Sequence, residues 1–316
     1  YTERNSSAAS DVYKRQDEYQ VVVVLSAVKG VTDLLLAAID TAVEGASGVE
    51  HLEEAIARER AIVENLAAQG VETPLGTAFL EEQYSTLSRR VEGIRLLGQC
   101  PDETRARILA SGEGFSSRLM VYMLIHLGYR AQWSDTDVLP LANESWLDSL
   151  VDTEVAAPLL KERLQADSQV MVLPGFYGRN ANGDIQLLGR NGTDYSAAAI
   201  AAALGAGLCQ IWKDVDGFFT ADPRIVRNAR CLEEVSYDEA MELTYFGAKV
   251  ISAKALTPLA ANRIPCEVRN TYDPSKPGTL VHNAAKRAEV VRGISHLHDA
   301  VSYTHLTLPT SCVHFI

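Results

Sequence analysis

Leu188-Gly189-Arg190-Asn191-Gly192-Thr193-Asp194-Tyr195-Ser196 is followed, without another charge, by AAAIAAALGAGLCQIW, which ends at Trp212. The glycines and asparagine read as a tight turn opening a helix, and alanine is the strongest helix former. Gln210 to Val215, rich in β-branched and aromatic residues, then reads as a strand. The charge-free stretch from Tyr195 falls at the edge of the ~20 strongly apolar residues that a membrane helix needs, and small residues dominate it. It therefore predicts a buried helix running into a strand. A turn, a helix and a strand in that order form the unit of a parallel sheet covered by helices.

The same unit recurs outward from this stretch. Tyr19 to Leu25 is a β-rich run that stops at Ser26-Ala27-Val28-Lys29-Gly30, as a buried parallel strand ending in a glycine-containing loop does. Thr32 then stands where it can cap an apolar-periodic segment, Leu34 to Ala42. His51 to Leu127 is helical in pattern, with stops at Gly70, at Cys100-Pro101-Asp102 and at Gly128. Further strands are predicted at Arg130–Trp133, Gln169–Leu173, Ile185–Leu188 and Pro265–Val268. The fold class is α/β with a largely parallel central sheet, and its main domain closes near His282. No internal repeat or low-complexity tract interrupts it.

Composition narrows the function. The 316 residues are 47% hydrophobic and 22% charged, which suits a globular chain. With 29 Lys and Arg against 41 Asp and Glu the formal charge is -12, which argues against general affinity for nucleic acid or an anionic membrane. Any anionic ligand needs positive charge gathered locally. Five cysteines without a CxxC pair fit neither a disulfide framework nor a zinc site, so a reducing, cytoplasmic setting is expected.

The two ends look foreign. The DNA string GATGTGTATAAGAGACAG encodes DVYKRQ, Asp11 to Gln16, and its reverse complement encodes VSYTH, Val301 to His305. One DNA element read on opposite strands brackets the chain, and it matches the end of a transposon used to fragment DNA for sequencing. The expectation is a non-native leader at 1–16 and a non-native tail at 301–316. Native sequence then runs over 17–300.

Four glycine-containing segments occupy the positions where α/β sheets bind ligands, off the carboxyl ends of strands. They are Ser26 to Thr32, Leu188 to Ser196, Lys213 to Arg224, and Tyr245 to Val250. Each alone reads most simply as a turn or solvated loop. Together they gather Arg190, Arg224 and Lys249 in an acidic protein, as a site for a polyanion such as ATP requires. GxxxxGK[ST], GxGxxG, HExxH and GxSxG are all absent, which removes the P-loop, dinucleotide, metallopeptidase and common hydrolase readings.

Five runs, VVVVLSAVKGVTDLL, SGEGFSSRLM, LLGRNGTDYSAA, IWKDVDGFFTADPR and MELTYFGAKV, occur in an order and spacing that resemble the aspartokinases of the amino-acid kinase superfamily. LLGQCPD and GRNGTDYSA are most similar to the kinase half of bifunctional aspartokinase/homoserine dehydrogenases. The resemblance implies a three-layer amino-acid kinase fold over 17–283, incomplete at its N-terminus. It also implies transfer of the γ-phosphoryl of ATP to the side-chain carboxylate of L-aspartate, the first step toward lysine, threonine and methionine.

On the resemblance, Thr32, Glu113 and Arg190 hold the amino acid: Thr32 at the reacting carboxylate, Glu113 at the α-ammonium, Arg190 at the α-carboxylate. Asp194 and Thr32 are the implied catalytic residues. Read without the family, Asp194 and Thr32 suit helix caps and Glu113 a surface acid. Lys213, Asp214, Phe219, Arg224 and Lys249 are implied for the nucleotide. Mg2+ is implied as cofactor, held by phosphates and water, with no protein ligand assigned. The resemblance further implies a homo-oligomer for the full-length protein, with no nucleic-acid or membrane partner.

The chain departs from that pattern in places. Lys213 stands where threonine is common, Phe219 where tyrosine is common, and Ser252-Ala253 where His-Pro is common. Nothing in Tyr1 to Gln16 resembles the family's opening Lys-Phe-Gly-Gly-Thr loop, whose lysine bridges the transferring group, so severely reduced activity is expected. Residues 284–300, with Val290 to Ser295, resemble the start of a regulatory ACT domain. Alternatives are a superfamily member acting on glutamate or acetylglutamate, and a non-catalytic nucleotide-binding module.

Overall fold

The computed structural model describes residues 20–164, 170–245 and 250–283. The expected leader and tail, residues 284–300 and Lys249 lie outside them. Strand β1 (Val21–Leu25) leads into helix α1 (Val31–Val43), and α2 (Val49–Ala68), α3 (Thr77–Leu97), α4 (Asp102–Leu109) and α5 (Ser111–His126) follow. Then come β2 (Ala131–Trp133), α6 (Thr153–Leu164), β3 (Val170–Pro174) and the short strands β4 (Tyr177–Arg179) and β5 (Ile185–Leu187). Helix α7 (Gly192–Leu204), β6 (Cys209–Lys213), β7 (Glu234–Val235), α8 (Tyr237–Tyr245), α9 (Ala253–Ala261), β8 (Cys266–Asn270) and β9 (Thr279–Val281) complete the order.

The expected parallel sheet appears as two ladders. One runs β1-β3-β2, all parallel; the other runs β6-β8-β9-β7, parallel except where β8 meets β9. β4 and β5 form an antiparallel hairpin that carries the chain into α7. The alanines of α7 explain how one helix serves both ladders. Ala198 and Ala199 are fully buried, and small side chains let α7 pack closely on α6 and α9 and also touch β1 and β6. The largest buried cluster accordingly joins Met171 and Leu173 of β3 to Ile211 of β6, Val268 of β8 and Leu256 of α9.

The helical region holds its predicted stops at Gly70 and at residues 100–102, but it also breaks between α4 and α5 at Ala110. Two capping expectations fail. Helix α1 begins at Val31 with Gly30 as N-cap at φ 81°, and α7 begins at Gly192 with Asn191 as N-cap at φ 56°, so neither Thr32 nor Asp194 caps its helix. Glycine reaches φ 81° without steric cost, which relieves the next turn of a capping side chain. Both acidic and hydroxyl groups are thereby freed to face elsewhere. No described helix is long and apolar enough to cross a membrane.

Glu59 on α2 is buried to 1% exposure, on the helix face whose Ile56 and Val63 pack with Leu80 and Phe115. It accepts one long hydrogen bond, from Gln83 Nε2 at 3.4 Å, and burial pushes its carboxyl from 4.5 to about 8. A carboxyl that keeps its proton to a higher pH when folded than when unfolded costs stability as pH rises from 4.5 through about 8. Glu59→Gln copies the protonated form. It is expected to change stability little at pH 5 and to raise it at pH 9 by up to ~4 kcal/mol, read from urea unfolding at both pH values.

Candidate functional site

Parallel strands end on the same side, so the carboxyl ends of β1 and β3 lie together. Gly175, just after β3, donates its N–H to Leu25 O at 2.8 Å, which joins the two exits. A cavity of about 270 Å³ opens there, lined by residues 26–30, Thr32, Asp33, Glu113, Phe176, residues 191–194 and Lys213. Two of the four glycine-containing segments and the end of a third thus meet at one place.

Close backbone approach builds the walls. A Cβ at Gly112 would stand 2.8 Å from Ala27 Cβ, so glycine there lets α5 press on the loop after β1. Ser116 Oγ donates to Ser26 O at 2.7 Å and fastens that contact. Glu113 follows Gly112 and is thereby aimed at the cavity, only 4% exposed, with Oε2 lacking any hydrogen-bond partner among the described residues. Burial pushes its carboxyl up to about 7, against the pull of the Ala27 backbone. A buried carboxylate with a free acceptor suits a cation.

The facing wall is the first turn of α7. Gly192 N donates to Gly189 O at 3.1 Å, while the N–H groups of 193 and 194 have no preceding helical turn to bond to, which makes this end favourable to anions. Asp194, buried to 9%, meets Lys213 Nζ at 2.7 Å across the end of β6. Burial raises the Asp194 carboxyl and the neighbouring Lys213 opposes that rise. Lys213, so paired, lines the cavity.

The expected site residues therefore fall into groups. Thr32, Glu113, Asp194 and Lys213 share the cavity wall. Arg190 is exposed on the turn before α7, without an ion-pair partner among the described residues. Asp214 is exposed just past β6, and Phe219 is half-buried in a bridge to Cys231. Arg224, expected at the nucleotide, forks onto Asp222, with Nη2–Oδ2 at 2.7 Å and Nε–Oδ1 at 3.0 Å, on a side chain 83% exposed. That pairing is local, two residues apart, and free to exchange for a stronger anion because solvent screens it.

Sequence reasoning left Lys29, Phe176, Asn191 and Thr193 without roles, yet all line the cavity. Phe176 carried a signal only in the backbone: φ of 70° is rare for an aromatic residue and marks a position held by its surroundings. Ser252, where His-Pro was expected, caps α9 by accepting from Ala255 N. Among the described residues no three His, Cys, Asp or Glu side chains cluster as a metal site.

The family model described as "Amino acid kinase family" matches residues 2–270. A bifunctional aspartokinase/homoserine dehydrogenase of Haemophilus influenzae is 37% identical over 304 residues, covering 95% of this chain and 37% of that protein. Lysine-sensitive aspartokinase 3 of Escherichia coli is 32% identical over 283 residues, covering 87% of this chain and 60% of that one. The crystal structure of E. coli aspartokinase III in complex with aspartate and ADP superposes with a TM-score of 0.77 at 29% identity, covering 91% of this chain and 63% of that one. The chain thus spans little more than a third of the length of the bifunctional relatives. From the joined strand exits, the glycine-built cavity and a family match over most of its length, the chain belongs to the amino acid kinase family.

Proposed function

We propose that this chain is the kinase unit of an aspartokinase, binding ATP and L-aspartate and transferring the γ-phosphoryl group to the side-chain carboxylate to give 4-phospho-L-aspartate. The observation that carries the reading is the shared cavity, with the buried Glu113 carboxyl and its unpartnered Oε2 on one wall and the Asp194–Lys213 pair at the helix end on the other. The complex of E. coli aspartokinase III with aspartate and ADP supports it.

The acceptor is a carboxylate, already ionised at neutral pH, so no base is needed to make the nucleophile. Catalysis then consists of bringing two anions together in line and neutralising their charge. Glu113 takes the α-ammonium, Arg190 closes from the rim onto the α-carboxylate, and Thr32 donates to the reacting carboxylate. Lys213, oriented by Asp194, faces the transferring group, while Asp214, Phe219, Arg224 and Lys249 serve the nucleotide. Mg2+ bound with ATP would neutralise phosphate charge, and no protein ligand is assigned to it.

We assign 17–283 to the kinase domain and 284–300 to the beginning of a regulatory region. Service in lysine, threonine and methionine biosynthesis, a cytoplasmic setting and assembly as a homo-oligomer belong to the same reading. A coupled ADP-release assay across L-aspartate, L-glutamate and N-acetylglutamate, run on the chain with the family's opening Lys-Phe-Gly-Gly-Thr strand and loop restored, tests it, with release expected for L-aspartate; equal release for glutamate would overturn it.

Proton linkage gives a second test. Glu113 holds its proton up to about pH 7 in the free site, whereas an ammonium ligand favours the carboxylate. L-Aspartate binding at pH 6 is therefore expected to release close to one proton, and at pH 8.5 almost none, with affinity rising toward pH 7 and levelling above it. Calorimetry in two buffers of different ionisation heat measures this, and Glu113→Gln is expected to abolish the release.

A further inference from the structure

Lys254 lies in the first turn of α9, where the helix dipole disfavours a cation, and its side chain is only 26% exposed. The cost is met by complete use of its three donors. Nζ donates to Asp148 Oδ1 at 2.5 Å, to Leu188 O at 2.7 Å and to Ser149 O at 3.1 Å, and it sits 4.9 Å from the centre of the Tyr195 ring. These four partners belong to two other parts of the chain: the 148–149 segment, and the stretch that runs from β5 into α7.

The position of Leu188 gives this contact its meaning. Leu188 is the last residue before Gly189-Arg190-Asn191, whose backbone is left-handed at Gly189 (φ 78°) and Asn191 (φ 56°). A Cβ at Gly189 would overlap the Asp148 carboxylate, so the turn passes tightly between Asp148 and α7. Within the turn Gly192 N donates to Gly189 O at 3.1 Å, while Arg190, beside the left-handed asparagine, has no ion-pair partner among the described residues. Leu188 O on one side, and Tyr195 one turn into α7 on the other, are both held by the same ammonium.

We infer that Lys254 is a positioning residue: by clasping Leu188 O and Asp148 against Tyr195 it sets the turn that presents Arg190 to the amino-acid substrate. The inference rests on the aspartokinase reading only for the identity of that substrate. Lys254 touches neither substrate nor nucleotide in this account; it acts through the turn.

The test compares the unsubstituted chain with Lys254→Met, Lys254→Arg and Asp148→Asn. Trypsin cleavage at the Arg190–Asn191 bond, followed by mass spectrometry, reads the turn without reference to activity. Cleavage there is expected to be ~10-fold faster in Lys254→Met at unchanged rates elsewhere, and near the original rate in Lys254→Arg, which keeps donors of similar reach. Asp148→Asn, at a side chain 74% exposed, is expected to shift in the same direction by less, and serves if Lys254→Met does not fold. Calorimetry is expected to show L-aspartate bound ~10-fold more weakly by Lys254→Met, restored in Lys254→Arg, with ADP affinity unchanged in both. Unchanged cleavage at Arg190 overturns the clasp. Faster cleavage with unchanged aspartate affinity, or equal loss of ADP affinity, overturns the link to substrate. If the unsubstituted chain binds no L-aspartate, the functional reading fails, while the cleavage rates still decide the clasp.

Discussion

Phe218→Ala is expected to lower the free energy of unfolding by about 3–5 kcal/mol, while Phe219→Ala, one residue on, is expected to leave stability nearly unchanged and to weaken nucleotide binding. Phe218 is completely buried in the cluster that includes Ile211, Val235, Val268 and Val281. Its backbone is tied on both sides: its N–H donates to Thr279 Oγ1 at 2.9 Å, and its carbonyl accepts from Leu232 N at 2.7 Å. Gly217 at φ 140° lets the chain pass Thr279, where a Cβ would collide with the hydroxyl. The surroundings are therefore fixed and collapse little into a cavity, which places the loss at the upper end for a phenylalanine. Phe219 is half-buried in its bridge to Cys231; base–aromatic stacking is worth ~1–3 kcal/mol, so if the ring stacks on adenine as proposed, ADP affinity falls between about 5- and 150-fold. Urea unfolding and ADP calorimetry on both variants measure the contrast. Equal ADP affinity in Phe219→Ala would remove Phe219 from the nucleotide site.

Arg190→Ala is expected to show the opposite separation. The side chain is exposed and without an ion-pair partner among the described residues, so stability should change by no more than ~0.5 kcal/mol. Hydrogen bonds to a charged group contribute ~1.5–3 kcal/mol, so L-aspartate affinity should fall about 10- to 150-fold. Arg190→Lys should recover only part of it, because one ammonium cannot match a carboxylate with two parallel donors. Calorimetric affinities for L-aspartate and ADP decide the matter. Unchanged aspartate affinity in Arg190→Ala would show that the arginine remains on the rim when substrate binds.

Much of the architecture was legible in residue patterns. The run 170–173 specifies a strand buried on both faces, whereas the valines of 21–24, expected to be buried too, form an edge strand that is only half-buried and pairs with it in parallel. The alanine-rich stretch divides into helix at Leu204 and strand at Cys209, as composition suggested. The strands that went unread, β4, β7 and β9, are two or three residues long, too short for any period to show. The pairing of β7 with β9 is settled between segments distant in the chain, as Val235 with Val281.

The site divides in the same way. Local glycine chemistry marks where loops leave strands, because only glycine tolerates φ near 80° or a backbone contact as close as that of Gly112 with Ala27. Sequence by itself therefore determined the family, the segments that carry chemistry and the residue types they offer. Only the tertiary structure decided that Asp194 turns from a helix cap to Lys213, that Glu113 is buried against Ala27 with its Oε2 left unpartnered, and that Lys254 reaches Leu188. The physical reason is that burial and ion pairing depend on what other segments bring within a few ångströms, and those segments lie 19, 86 and 66 residues away along the chain.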